Sequence, residues 1–152
     1  MKYWLMKSEP EVFSIDQLKS KKKSGWDGVR NYQARNFMRD EMKCGDMVLF
    51  YHSSCEIPGV AGLARISRES HPDPSQFDPK GEYYDPKSTK DNPRWFMVEV
   101  EFVEKFNQVI TLKMLKDKKE LQSMPVVQKG SRLSINPVTE EQFKTILQMR
   151  LG

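Results

Sequence analysis

The sequence predicts an α+β fold whose centre is a small, curved, mixed sheet that closes towards a barrel. Short strand-like segments follow one another along most of the chain, and helical patterns occur early and again at the C-terminal end. The regular strand–helix alternation of a doubly wound parallel sheet is missing. With 152 residues and 38% hydrophobic content, the chain is predicted to form a single domain over residues 1–152.

The first strand and the first helix are marked by a proline and by a capping pattern. Residues 3–7 are predicted to form a strand with large side chains on both of its sides, and Pro10 ends it. Ser14 is predicted to begin a short helix, because Gln17 three residues later completes a capping box. Gly25 closes this segment.

A predicted loop over residues 26–30 leads into a second helix. Asn31 is a suitable N-cap, and the helix is predicted to run from Tyr32 to about Lys43. One face of this helix carries an apolar stripe. Beside it, at a spacing of four residues, lies a basic stripe of Arg35, Arg39 and Lys43.

Two central strands are predicted over residues 47–52 and 59–66. The first is apolar at nearly every position, which predicts that both of its faces are covered. The second has one nearly bare side, as is required where a ligand or another backbone comes close. The small residues on it are Gly59, Ala61, Gly62 and Ala64.

Residues 70–93 are predicted to form a long loop, because their five prolines block regular elements. A loop of this length within a domain is usually functional or disordered, and the paired Tyr83 and Tyr84 favour an ordered one. Residues 94–104 then alternate as a strand, with Trp95 out of register with the inward side chains.

The C-terminal third is predicted to complete the sheet and to add helices. Residues 109–115 pass from a strand into a short helix, and residues 132–135 form a last strand that Pro137 stops. Thr139 is predicted to cap a terminal helix together with Gln142.

Composition and charge exclude several classes of protein. The 25 basic and 21 acidic residues give a net charge of +4, which is compatible with a phosphate-bearing partner. Two cysteines cannot form a disulfide framework or a four-cysteine zinc site, and no metal is predicted. Neither a signal peptide nor an apolar run of membrane-spanning length is visible. We therefore expect a cytoplasmic protein, nuclear if eukaryotic, that has no membrane partner and is monomeric.

No motif indicates an enzyme, and the sequence is interpreted as non-catalytic. A phosphate-cradling glycine loop and a strand-to-helix nucleophile elbow are both missing. Cys55 with His52 as its base is an alternative, although three residues apart on a strand end they would face opposite sides. Glu9 and Asp27 leave a second alternative open, a nucleobase or nucleotide hydrolase that uses one of them.

Residues 3–10 and 26–36 concentrate aromatic, amide, hydroxyl and cationic side chains with weak core periodicity. Such groups suit a pocket that stacks on a nucleobase and binds its edge, and Trp26 is predicted to lie on the pocket wall. Each residue also has a structural alternative. Trp26 and Trp95 fit core aromatics, Asn31 fits a helix cap, and the basic stripe fits a solvent-exposed face. A nucleic-acid adaptor without base selectivity is a third functional class.

The chain resembles the EVE domain family in segments that span nearly its whole length in the family's order. The matching segments are residues 3–10 (YWLMKSEP), 26–36 (WDGVRNYQARN), 45–53, 83–88, 93–95 and 132–134. The resemblance implies a PUA-like pseudobarrel of mixed, mostly antiparallel strands with peripheral helices. It also implies a protein that uses no cofactor and binds nucleic acid carrying a modified base, either modified cytosine in DNA or modified RNA.

The residues and the resemblance together define a predicted site. The predicted base-binding pocket consists of Lys7, Ser8, Glu9, Trp26, Asn31, Tyr32, Tyr51, Ser53, Trp95 and Ser134. Asn31 and Ser8 are the expected readers of the base edge. The predicted phosphate-binding residues are Arg30, Arg35, Arg39 and Arg132.

Overall fold

The strands of the protein form one sheet in a computed structural model, which describes residues 1–151. The strands in this range are β1 (Tyr3–Ser8), β2 (Lys23–Gly25), β3 (Met47–His52), β4 (Gly59–Pro72), β5 (Phe96–Thr111) and β6 (Ile135–Val138). Their spatial order is β2-β5-β4-β3-β1-β6. β1 and β3 are parallel, whereas the other neighbouring strands just named are antiparallel. The predicted α+β fold with a mostly antiparallel mixed sheet is confirmed.

Helices lie around this sheet, and Ser14, Asn31 and Thr139 are the N-caps of three of them, as predicted. The helices are α1 (Ile15–Lys21), α2 (Tyr32–Asn36), α3 (Leu112–Asp117) and α4 (Glu140–Met149). Ser14 and Thr139 both form complete capping boxes, at the starts of α1 and α4. These two helix starts were predictable because each cap is a local exchange of hydrogen bonds between residues three apart.

The second helix is shorter than predicted. It ends at Asn36 and continues as a π-helical turn over Phe37–Glu41, in which the Met42 amide donates to the Phe37 carbonyl at 2.9 Å. The sequence could not reveal this change, because the buried Met38 and Met42 are four residues apart and fit either kind of turn.

The central strands separate two hydrophobic cores. Side chains alternate along β1, so that Trp4 and Met6 belong to one core and Leu5 to the other. Phe50 lies with Trp4, whereas Tyr51 lies with Leu5. We call the core around Phe50, which includes residues of α1 and α2, the first core. The second core, around Leu5, includes residues of α3 and α4.

The bare side of β4 faces another backbone and not a ligand. A Cβ atom at Gly62 would collide with the carbonyl oxygen of Glu104, and one at Gly59 would collide with that of Ile110. Both carbonyls belong to β5, which pairs with β4. The small residues therefore allow two strongly bent strands to approach each other closely.

Four strand predictions differ from the structure. β5 is one continuous strand over Phe96–Thr111, where a strand over residues 94–104 and a separate one from residue 109 were predicted. β2 was not predicted, because Lys23–Gly25 is polar and obtains its strand geometry only by pairing with β5. β4 continues past residue 66 to Pro72 along the same partner. The last strand is Ile135–Val138 and not 132–135, and it contains Pro137 because β6 lies at the edge of the sheet.

The long proline-rich loop is ordered by a buried amide. Gln76 is fully buried, and its Nε2 donates to the carbonyls of Asp73 (2.7 Å) and Trp95 (2.8 Å). Its Oε1 accepts from the backbone amides of Trp95 (3.0 Å) and Arg94 (3.2 Å). One side chain thus ties the start of the loop to its end.

Candidate functional site

An open cleft of about 880 Å³ lies beside the first core, where the C-terminal end of β1, the loop over residues 26–30 and the long loop meet. This volume is within the range of small-molecule sites, roughly 300–1,000 Å³. Of the predicted site residues, those that line the cleft are Lys7, Ser8, Glu9, Trp26, Arg30 and Ser134.

Trp26 belongs both to the cleft wall and to the first core. It is 8% exposed and packs edge-on against Phe50, with ring centroids 5.6 Å apart. Its backbone amide donates to the Val98 carbonyl at 2.8 Å, which continues the strand pairing of β2 into the loop. Trp26 is therefore a core residue that also lines the cleft, and its contact with a base stays a prediction.

Tyr83 reaches the cleft from the long loop and packs directly on Gly28. Gly28 has φ +79°, and a Cβ atom there would lie 2.7 Å from the tyrosine ring. The Gly28 amide donates to Asp73 Oδ2 at 2.8 Å, which holds the two loops together. Glycine is required at this position both by the backbone conformation and by the ring above it.

Arg30 lines the cleft, and its guanidinium is hydrogen-bonded within the protein, so its role in phosphate binding stays a prediction. It donates to the Tyr83 carbonyl from Nε (3.2 Å) and Nη2 (2.8 Å). It also forms an ion pair with the buried Asp73 at 3.2 Å and donates to Ser75 Oγ at 3.1 Å. The sequence showed that Arg30 is a cation in a loop, but it could not show its carboxylate partner, because Asp73 lies 43 residues away.

Burial perturbs the titratable groups of the cleft. It lowers the pKa of Lys7, and it raises the pKa of Asp27, with a further rise from the nearby charge of Asp73. Burial alone would also raise the pKa of Asp73, but hydrogen bonds from Ser75, Gly28 and Arg30 outweigh it and hold that pKa low. The cleft thus contains a cation and a carboxyl group whose charged forms are partly desolvated, a pattern common at functional sites.

Ser8 has a fixed hydrogen-bonding polarity. Its hydroxyl donates to the Phe13 carbonyl at 2.6 Å. Because a hydroxyl has one hydrogen and that hydrogen is used, Ser8 can offer only lone pairs to a ligand. Beside it, Lys7 offers donors only.

Three predicted pocket residues lie away from the cleft. Tyr51 is 3% exposed in the second core, where burial, with a smaller effect of Cys55, raises its pKa to about 12. Asn31 is exposed, and its Oδ1 accepts from the Ala34 amide at 3.0 Å, so it acts as the cap of α2. Ser53 follows the end of β3, where its backbone amide donates to the Ser8 carbonyl at 3.0 Å. For Tyr51 the correction follows from strand alternation, which turns it away from Phe50.

Tyr32 and Trp95 form a separate aromatic stack that does not line the cleft. Their ring centroids are 4.8 Å apart and their planes differ by 21°. Trp95 is buried, and its Nε1 donates to Asp85 Oδ2 at 2.7 Å, whereas Tyr32 is 50% exposed. Both residues were predicted to belong to the base-binding pocket, and they lie together outside the cleft that Trp26 lines.

The remaining predicted phosphate ligands also lie outside the cleft. Arg35 donates to the Arg94 carbonyl at 2.8 Å and to the side chain of Asn36. Arg39 forms a bidentate pair with Asp40, at 2.8 and 3.0 Å. Arg132 is exposed, two residues before the cleft residue Ser134.

The EVE domain model matches residues 2–149. The chain belongs to the EVE domain family. It is 45% identical to human thymocyte nuclear protein 1 over 97% of this chain and 73% of that protein. The crystal structure of a Pseudomonas syringae protein superposes with a TM-score of 0.94 at 51% identity, covering 97% of this chain and 99% of that one.

Two structures with bound nucleic acid share the fold. The human THYN1 protein, solved in complex with DNA that contains 5-methylcytosine, has a TM-score of 0.93 at 44% identity and covers 100% of this chain and 99% of that one. The YTH domain of Zygosaccharomyces rouxii MRB1, solved with N6-methyladenosine RNA, has a TM-score of 0.56 at 14% identity over 98% of this chain and 86% of that one. At that identity it shows the fold alone, which confirms the PUA-like architecture.

Sequence reasoning missed several lining residues. Phe13, Lys21 and Met97 all line the cleft, and the Lys21 ammonium lies 5.7 Å from the centre of the Phe13 ring. The run of three lysines at residues 21–23 was the available signal for Lys21. Within residues 1–151, no group of three His, Cys, Asp or Glu side chains could hold a metal ion, and no helix is long and apolar enough to cross a membrane.

Proposed function

We propose that this chain binds nucleic acid carrying a modified base, with modified cytosine in DNA as its ligand, and that the cleft receives the base. The proposal depends on one observation: the cleft combines aromatic walls with hydrogen-bonding groups in a chain 44% identical to a protein solved with 5-methylcytosine DNA. A base enters such a site after leaving the duplex stack, at a cost of a few kcal/mol.

Aromatic side chains supply the surface that offsets this cost. Phe13, Trp26 and Tyr83 approach the cleft from three separate segments of the chain. Base–aromatic stacking contributes about 1–3 kcal/mol per base. Met97 and Val29 add apolar lining, against which a 5-methyl group loses water.

Polar groups supply the directionality. A cytosine edge presents an amino donor beside ring-nitrogen and carbonyl acceptors. Asp27 and the lone pairs of Ser8 suit the amino group, since carboxylates accept from the cytosine amine, whereas Lys7 suits the acceptors. This division replaces the predicted role of Asn31, whose oxygen caps a helix.

Phosphate contacts are proposed at the rim of the cleft. Lys21 lines it, and the exposed Arg132 lies two residues before Ser134. Neutralising a cation that touches a phosphate lowers the slope of log affinity against log salt by about one. Lys21→Gln and Arg132→Gln are each expected to give this change for modified and plain DNA alike, and an unchanged slope in both would place the strand elsewhere.

The raised pKa of Asp27 favours one second candidate, a hydrolase acting on the modified nucleotide, because catalytic acids carry such shifts. Incubation of the protein with modified oligonucleotide followed by mass spectrometry separates the two. A binding module returns the oligonucleotide intact, whereas a free base or altered nucleoside that disappears with Asp27→Asn would establish the hydrolase.

Duplexes that differ only at one cytosine test the proposal itself. We expect tighter binding of the modified duplex than of the plain one. Asp27→Asn should weaken binding of both duplexes, because the amino group is common to modified and plain cytosine and a hydrogen bond to a charged group contributes about 1.5–3 kcal/mol. Asp117→Asn is the matched control, since Asp117 is exposed at the end of α3. Equal affinity of the unaltered protein for both duplexes would refute the proposal.

A further inference from the structure

The stack of Tyr32 and Trp95 is a rigid aromatic surface that the cleft does not use. Tyr32 begins α2, whose N-terminus is fixed by the Asn31 cap. Trp95 lies beneath it, with its indole hydrogen-bonded to Asp85 and both its backbone polar groups bonded to the buried Gln76. Tyr32 is nevertheless 50% exposed. A half-exposed aromatic ring on so well-fixed a support is pre-organised for a planar partner.

Arg35 lies close to the half-exposed Tyr32 ring but not over its far face, the one that points away from Trp95. The Arg35 guanidinium carbon lies 4.6 Å from the centre of the Tyr32 ring and 5.9 Å from that of Trp95. A group covering the far face of Tyr32 would be much further from Trp95 than 5.9 Å. Arg35 therefore lies beside the stack, where it adds positive charge without blocking the surface.

The stack is connected to the cleft through Arg30. The guanidinium carbon of Arg30 lies 5.4 Å from the centre of the Tyr83 ring, which lines the cleft, and 5.2 Å from the centre of Trp95. The aromatic and guanidinium groups thus continue from the cleft wall to the exposed Tyr32. A strand whose modified base is in the cleft could extend along this row.

We propose that Tyr32, supported by Trp95 and flanked by Arg35, stacks on an unpaired nucleobase next to the one held in the cleft. This inference rests on the proposed function and adds a second contact that is independent of the modification. Stacking tolerates every base, because each has a flat face, and arginine beside the ring attracts the phosphate backbone.

The test uses the full chain and two probes, a short single-stranded oligonucleotide of unmodified bases and a duplex with one 5-methylcytosine. Tyr32→Ala and Tyr32→Leu are expected to weaken binding of both probes roughly 5- to 150-fold, the range for loss of one base stack. Tyr32→Phe should retain the affinity of the unaltered protein, because phenylalanine keeps the aromatic ring. Tyr84→Ala is the control, because Tyr84 is 43% exposed but lies outside the stack.

The outcomes distinguish this inference from the proposed function. Unchanged single-strand affinity in both Tyr32→Ala and Tyr32→Leu would overturn the stacking site, and so would an equal loss in Tyr84→Ala. Equal affinity of the unaltered protein for methylated and plain duplexes would overturn the proposed function alone, provided that the Tyr32 variants still weaken single-strand binding. Circular dichroism melting of each variant verifies that the loss is not caused by unfolding.

Discussion

The two cores pack against the same central strands, but they differ in what covers them on the outside. The second core is sealed by α3 and α4, whose buried Leu115, Phe143 and Ile146 are apolar. The first core opens into the cleft, where Trp26 is at once core and wall. The first core therefore borders a cleft where β1, the loop between β2 and α2 and the long loop meet, whereas helices cover the second core.

The titratable groups also differ between the two cores. Beside the first core, partial burial shifts the pKa values of Lys7, Asp27 and His52. In the second core, burial keeps Tyr51 neutral by raising its pKa to about 12. Lys7 and Asp27 thus line a cleft from which water is only partly excluded, which is where a polar ligand could replace that water.

Adjacent residues of β3 give the strongest test of this comparison, because both are fully buried and face opposite cores. Phe50→Ala should lower the free energy of unfolding by about 3–5 kcal/mol and Leu49→Ala by about 2–5 kcal/mol. Phe50 also supports Trp26 and Phe13, so only its loss should weaken DNA binding by the folded protein. Urea unfolding and fluorescence anisotropy below the transition measure the two effects, and equal binding losses would refute the division.

Alanine substitutions at Gly28 and Gly45 test whether the loop over residues 26–30 contributes to binding. Alanine at either requires a left-handed backbone, which costs about 1–2 kcal/mol, and the folding penalties should be similar. Only the Cβ atom at Gly28 meets a neighbour, the Tyr83 ring, whereas nothing lies within 4 Å of one at Gly45. We expect Gly28→Ala to lose affinity for modified DNA while Gly45→Ala retains it. Retention by both would exclude Tyr83 from the site.

His52 makes the first core sensitive to acid. Its Nε2 accepts from the Ile15 amide at 3.1 Å, and burial lowers its pKa below the ordinary 6.5, with Asp16 opposing and Lys105 adding to the shift. The unfolded chain therefore takes up the proton first, so stability should fall as pH drops below 6.5, by about the 0.5–1.5 kcal/mol of one hydrogen bond. The melting temperature of His52→Gln should not show this fall in stability at low pH, whereas that of His71→Gln should still show it.

Substitution of Tyr51 has the smallest expected effect, and it tests whether the site extends into the second core. Because its ring is enclosed in the second core, Tyr51→Phe should leave DNA affinity unchanged. Stability should change by no more than about 1.5 kcal/mol, the range of one hydroxyl interaction. A loss of affinity measured by anisotropy, with stability unaltered, would return Tyr51 to the site.

The sequence predicted those parts of the fold that depend on local rules. Side-chain alternation in residues 3–7 and the capping boxes at Ser14 and Thr139 are each decided within a few residues. β2 was missed because its strand character comes from β5, a distant partner.

The candidate site was only partly predictable, for the same reason. Lys7, Ser8 and Trp26 lie in segments whose composition marked them, and all three line the cleft. The ion pair of Arg30 was not predictable, because Asp73 is distant in sequence. The burial of Tyr51 in the second core was not predicted either, because the direction of its side chain depends on the pleat of β3.

An NMR titration with methylated and plain duplexes tests the central claim most directly, because it reports on both cores at once. We expect the largest amide shifts at Ser8 and Gly28, with small shifts at Leu115 and Leu121 in the second core, and a larger response to the methylated duplex. Shifts centred on the second core, or identical responses to the two duplexes, would contradict the account.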